Sequence, residues 1–233
     1  MSKNKGEKGN LLLELFSEEI PARMQTGSEK QLTNLFEKSL MNRDIGYGPI
    51  STFCSPRHLS VIIKNIDLKQ KNQIIEKRGP RLGSNEKAIH GFLKSNNIQE
   101  NDVVIKDTKN GKFYFYLNQI NGINTSEVLP EIINEIIKNF VWPKSQRWAY
   151  SELRWARPLR NILLLFNNQP IEGKVAIDKN NFLNFSTYTF GHRNENKKIE
   201  VENIDEYERL LQNNYLILDL SLIHISEPTR RYS

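Results

Sequence analysis

Arginine gathers beside proline, glycine and aromatic residues at four places in this chain. These are Cys54-Ser55-Pro56-Arg57, Lys77-Arg78-Gly79-Pro80-Arg81, the stretch from Arg147-Trp148 to Arg157-Pro158-Leu159-Arg160, and Phe190-Gly191-His192-Arg193. A guanidinium is a planar fork that grips phosphate oxygens in pairs and stacks on bases or aromatic rings. A neighbouring Pro or Gly turn fixes where the fork points. The chemistry on offer is a positive surface that follows an RNA backbone. A second use stays open. Arg147, Arg157 and Arg160 can close internal ion pairs with Glu18, Glu19 or Glu152, with Trp148 and Trp155 in the core.

Other chemistry is poorly supplied. The sequence has no GxxxxGK[ST] loop, no GxGxxG after a strand and no HExxH. Its four histidines and single cysteine give no metal-ligand spacing and no disulfide framework. Cys54, Ser55 and His58 lie close enough to suggest a nucleophile with its base. Cys54 sits in an apolar stretch, however, where a lone thiol is usually a small hydrophobe. Glu18 and Glu19 are adjacent, so on a helix they point in different directions. A catalytic centre built on Cys54 or His192 is therefore the least favoured reading. No catalytic residue and no metal site are expected. The net charge of +6, from 33 basic and 27 acidic residues, permits a polyanionic partner without requiring one. Mean hydropathy is −0.58. No apolar run is long enough for a membrane span, and residues 1–10 lack the apolar core of a secretory signal, so a cytoplasmic location and no membrane partner are expected.

The elements that must position the arginines follow from periodicity. Residues 1–10 read as a flexible tail and Leu11–Phe16 as a buried strand. A helix follows, with Pro21 near its start, Leu32, Leu35, Phe36 and Leu40 on one face, and Gly46 and Gly48 past its end. Ser51–Cys54 and Leu59–Ile66 read as strands broken by Ser55-Pro56-Arg57. Lys77–Arg81 reads as a basic loop, Glu86–Ser95 as a short helix, and Val103–Lys106 with Phe113–Ile120 as a hairpin about Lys109-Asn110-Gly111. Leu129, Ile132, Ile133, Ile136, Ile137 and Phe140 mark a third helix, capped by Thr125 or Ser126 and stopped by Pro143. Leu159–Phe166 is apolar, a strand or a buried helix. Strands at Ile171–Ile177, Phe182–Tyr188 and Tyr215–Leu218, with a helix at Ile204–Leu211, complete the reading. Without a strict βαβ alternation this predicts an α+β fold, with a mixed, largely antiparallel sheet and a few packed helices.

Leu13–Met24 (LELFSEEIPARM) resembles the opening of the β subunit of the bacterial heterotetrameric glycyl-tRNA synthetase. Further segments follow in that family's order. They are Thr52–Leu59, Lys77-Arg78-Gly79-Pro80 with Ala88 and Gly91-Phe92, Pro143-Lys144 with Arg147-Trp148 and Arg157–Arg160, and Gly191-His192-Arg193. Ser145-Gln146, Asn161 and Asn194 depart from its pattern. The resemblance spans about residues 11–219, read as the N-terminal region of such a β subunit in one or two subdomains. It implies binding and orientation of tRNA(Gly) and assembly with an α subunit in an α2β2 complex. That complex joins glycine to its tRNA using ATP with Mg. No cofactor is implied for this part. The candidate tRNA contacts are the clustered arginines Arg57, Arg78, Arg81, Arg147, Arg157 and Arg193. A docking module that touches no RNA is the alternative. Leu220–Ser233 (LSLIHISEPTRRYS) resembles translated sequencing adapter and is expected to be a non-native tail.

Overall fold

The computed structural model describes residues 7–108, 111–148, 151–192 and 197–216. The chain folds as two compact units, one of Met1–Gln70 with Ile123–Ser233 and one of Lys71–Gly122.

The larger unit is built on strand β1 (Lys8–Ser17), which lies at the centre of a seven-stranded sheet. On one side it pairs with β3 (His58–Asp67), and β2 (Ile50–Cys54) follows. On the other it pairs with β7 (Leu159–Phe166), which carries β8 (Gln169–Pro170) through an Asn167-Asn168 turn. Both turn residues have positive φ, 52° and 60°, as a tight hairpin between twisted strands requires. β10 (Phe182–Ser186) pairs parallel to β7, and β9 (Lys174–Ala176) pairs antiparallel to β10. Every other ladder described is antiparallel, so the fold is α+β as expected.

β1 is buried on both faces, which is why its sequence reads as a continuous apolar run. Leu11, Leu13 and Leu15 point to one face. There α1 (Ala22–Met41) buries Met24, Leu32, Phe36 and Leu40, and α3 (Thr125–Asn139) buries Leu129, Ile132, Ile133, Ile136 and Ile137. Phe140, Trp142 and Trp155 close this layer with ring centroids 4.7 to 5.1 Å apart. Leu12 points to the opposite face and joins Ile62, Leu163, Leu165, Val201, Ile204, Tyr207 and Leu211. That face is covered by β11 (Tyr188–Phe190) with β12 (Lys198–Glu200), a 3-10 turn at Ile204–Glu206, and α4 (Tyr207–Asn213).

The smaller unit is a three-stranded sheet in the order β4 (Gln73–Arg81), β6 (Gly111–Ile120), β5 (Val103–Thr108), with α2 (Glu86–Asn96).

Several sequence expectations change. The cap position of α3 is Asn124, and Thr125 and Ser126, expected to cap it, are its first two residues. Lys77–Arg81 is the end of β4 rather than a loop. The ladder to β6 shifts register between Arg78 and Arg81, and this bulge accommodates Gly79-Pro80, whose proline has no N–H to donate. The tail expected over 1–10 gives way at Lys8, where β1 begins, with Lys8 opposite Asp67 and Gly9 opposite Ile66. Ile171–Ile177 contributes only the three residues of β9. Of the strand expected over Tyr215–Leu218, Tyr215 sits in a turn at φ 60°, and residues 217–218 lie outside the described residues. Leu220–Ser233 lies outside the described residues.

Leu13 is fully buried between β1 and the two helices. Leu13→Ala is expected to cost about 2–5 kcal/mol, seen as a lower urea midpoint at unchanged slope.

Candidate functional site

Four of the quoted segments meet at one end of the larger sheet. Ser17 N donates to Arg57 O at 2.9 Å, and Glu18 N donates to Pro158 O at 3.0 Å. The chain leaving β1 is thus held between the Ser55–Arg57 turn and the segment that opens β7. The ring of Phe16 stacks on Phe190 at 4.7 Å and lies 4.9 Å from His58. The Arg57 guanidinium caps the same Phe16 ring at 4.5 Å, and its Nε is buried with no partner among the described residues.

Behind this end runs a buried polar row. Antiparallel register sets Phe16 opposite His58 and Asn161, and Glu14 opposite Ser60 and Leu163. Three side chains from three adjacent strands reach the next layer. Asn161 Nδ2 donates to Tyr188 O at 2.7 Å. Thr189 Oγ1 lies 2.6 and 2.7 Å from the two Glu14 oxygens. His58 Nε2 donates to Phe190 O at 2.9 Å. A carbonyl only accepts, so Nε2 carries the proton and Nδ1 accepts from Ser55 Oγ at 3.1 Å. Tyr207 also donates to Glu14, and its hydroxyl shares a 2.8 Å bond with Ser60 Oγ. All three residues of β11 are therefore tied to the sheet.

Burial dominates the electrostatics of this row. It raises the Glu14 carboxyl to about 7, although the Thr189 and Tyr207 hydroxyls pull it back. It lowers His58 to about 4, against the pull of the Phe190 carbonyl and with help from the Arg57 charge. It raises the Cys54 thiol to about 12, opposed by the Ser28 hydroxyl and reinforced by Glu29. Cys54 is therefore a neutral thiol at physiological pH and a poor nucleophile. Ser55 and His58 have the geometry of a nucleophile and its base. Both are buried, and Ser55 Oγ also accepts from His58 N at 3.3 Å, the bond of a structural turn.

The arginines divide. Arg160 forms an ion pair with Glu18 at 2.9 Å, one of the internal pairings anticipated. Arg157 donates to Gln146 Oε1 at 3.4 Å and to Ala156 O at 3.3 Å. Arg147 is exposed, Trp155 is fully buried, and Trp148 packs against the core. Arg78 and Arg81 lie on β4 in the smaller unit, so they belong to a separate body. Arg193 lies outside the described residues. A cleft of about 990 Å³ opens between the end of α3, Phe140–Trp142 and Glu152–Arg154. It mixes Glu131, Glu135 and Glu152 with Lys138 and Arg154, so it is not a phosphate groove. Among the described residues no group of three or more His, Cys, Asp or Glu could hold a metal ion, and no helix is long and apolar enough to cross a membrane. Sequence reasoning missed Glu14, Asn161, Thr189 and Tyr207. The available signal was one carboxylate inside the apolar run Leu11–Phe16.

The sequence profile described as the glycyl-tRNA synthetase beta subunit matches residues 11–222. The chain is similar to the glycine–tRNA ligase beta subunit of Rickettsia canadensis (strain McKiel), 37% identical over 210 residues, covering 90% of this chain and 31% of the relative. It is 36% identical over 213 residues to that of Rickettsia bellii (strain OSU 85-389), covering 90% and 31%. It is 34% identical over 209 residues to that of Rickettsia prowazekii (strain Madrid E), covering 89% and 30%. The chain thus spans less than a third of the length of these curated relatives.

The buried row makes a testable pH signature. Glu14, ordinarily at 4.5 and held at about 7, stabilises the fold fully below pH 4.5 and loses that contribution as pH rises through 7. His58, ordinarily at 6.5 and held at about 4, stabilises fully above pH 6.5 and loses that contribution as pH falls through 4. Each amounts to about 3 kcal/mol, at about 1.4 kcal/mol per pH unit, and the two nearly cancel in the parent. In urea titrations Glu14→Gln is expected to gain stability relative to the parent from pH 4.5 to 7, and His58→Gln to lose it from pH 4 to 6.5. Three parallel profiles would reject this assignment.

Proposed function

The chain belongs to the glycyl-tRNA synthetase beta subunit family, and from that premise we propose that it binds and orients tRNA(Gly) and assembles with an alpha subunit in an α2β2 complex. The single observation that carries this reading is the profile match across residues 11–222. The work is the ATP-dependent joining of glycine to its tRNA in the cytoplasm. In this reading the alpha subunit supplies the centre that uses ATP and Mg, and this chain supplies no catalytic residue. The chain's contribution is geometric. The ordered end of the larger sheet holds Arg57 and Arg157 in fixed places, with Arg147 exposed nearby in sequence, and β4 presents Arg78 and Arg81. Arg193 is a further candidate contact.

A second reading is a docking module without RNA contact. It is favoured by the internal engagement of Arg57, Arg157 and Arg160. Its surface would be the mixed-charge cleft beside Val141, which is 72% exposed.

Titration of the chain with tRNA(Gly) across a potassium chloride series separates the two. The tRNA reading predicts salt-sensitive binding, and Arg147→Ala is expected to lower the log–log salt slope by about one. Capture of the alpha subunit without tRNA affinity would contradict it and leave the docking reading.

A further inference from the structure

In the smaller unit Arg78 and Arg81 share one sheet face with aromatic side chains. Side chains on a sheet alternate, so register sorts them. Gly79 and Lys77 share one face. α2 lies there, with the Phe92 ring where a Gly79 side chain would sit and Asn96 Oδ1 accepting from Lys77 Nζ at 2.9 Å. The opposite face carries Glu76, Arg78, Val104, Lys106, Phe113, Phe115 and Leu117. It is open. Val104 is 42% and Leu117 41% exposed, and Arg78 is exposed as well.

Its chemistry is aromatic interleaved with basic. Arg78 stands opposite Phe115 in the ladder and lays its guanidinium 3.7 Å above the Phe113 ring. Lys106 lies 5.6 Å over Phe115 and forms an ion pair with Glu76 at 2.9 Å. Arg81 stands opposite Phe113 across the bulge. Lys71–Gly122 holds nine Lys and Arg against five Asp and Glu, a net +4 of the chain's +6. A flat, π-rich, cationic face complements an anion that is itself flat and π-rich.

We propose that this face is a stacking platform for unpaired RNA nucleotides, with a base laid on the Arg78–Phe113 pair and phosphates beside Arg81 and Lys106. Guanidinium planes and aromatic rings on an open sheet bind splayed bases by stacking, and paired bases cannot present that surface. The proposal rests on the tRNA reading above and deepens it, since it names unpaired nucleotides as what this unit recognises.

The test uses the full chain and two labelled probes, a single-stranded oligoadenylate and the same strand paired into an RNA duplex, with tRNA(Gly) titrated in parallel. Fluorescence anisotropy is expected to show tighter binding of the single strand. Arg78→Lys keeps the charge and removes the plane. Phe113→Leu keeps apolar bulk and removes the ring. Each is expected to weaken single-strand binding by roughly 5-fold or more, the effect of one stacked base, with duplex binding and the melting temperature unchanged. Arg78 is exposed, so Arg78→Lys alone decides if Phe113→Leu unfolds. Equal binding of the two probes by the parent, or single-strand binding indifferent to Arg78→Lys, overturns the platform. Loss of alpha-subunit capture in place of RNA binding also overturns it, in favour of a protein-docking face. Single-strand binding without tRNA(Gly) binding contradicts the proposed function and leaves the platform standing. tRNA binding that survives both variants, beside an unchanged single-strand affinity, contradicts the platform alone.

Discussion

A carboxylate at the centre of a doubly buried strand has to be satisfied, and the larger unit is arranged around that need. Glu14 has Leu13 and Leu15 as neighbours in sequence and Leu163 opposite it in the ladder. Left alone there, an ionised carboxylate would cost many kcal/mol or take up a proton. The fold brings two hydroxyls to it, Thr189 from β11 and Tyr207 from α4. Those two elements cover the second face of the sheet. The polar demand of one residue therefore bears on where β11 and α4 must lie. Asn161 and His58, from the strands on either side of β1, hold the neighbouring carbonyls of β11 and complete the strap.

The strap also sets the sheet end where the arginine-bearing segments meet. Phe190 is locked by His58, Phe16 stacks on Phe190, and Arg57 caps Phe16. A core constraint thus passes outward through three rings to a guanidinium. The smaller unit follows a different logic. It buries little, places most of its side chains at the surface, and holds most of the chain's net positive charge. One unit invests in rigidity and the other in an exposed cationic face.

Much of this was legible in the sequence. The apolar run Leu11–Phe16 and the helical stripes through Leu32–Leu40 and Leu129–Phe140 encode the layers directly, because burial periodicity is local. The ordered segments from Leu13 to Arg193 carried the family. The Lys77–Arg81 strand was not legible. Gly and Pro usually break a ladder, and only pairing with Phe113 and Phe115 shows that a bulge absorbs them. Nor was the buried network, since Glu14, Ser60, Thr189 and Tyr207 are separated by up to 193 residues and chain order holds no trace of their meeting. Asn161 departs from the pattern of the resembling family, and it gains its reason only once Tyr188 lies across it.

The Glu14 carboxyl fastens β11 to the sheet through Thr189. A double-mutant cycle of Glu14→Gln and Thr189→Val, read by urea unfolding, tests it most directly. A coupling of about 1–3 kcal/mol is expected for partners in one buried network. Additive effects within about 0.3–0.5 kcal/mol would contradict it, and would place the anchoring of β11 in its apolar contacts instead.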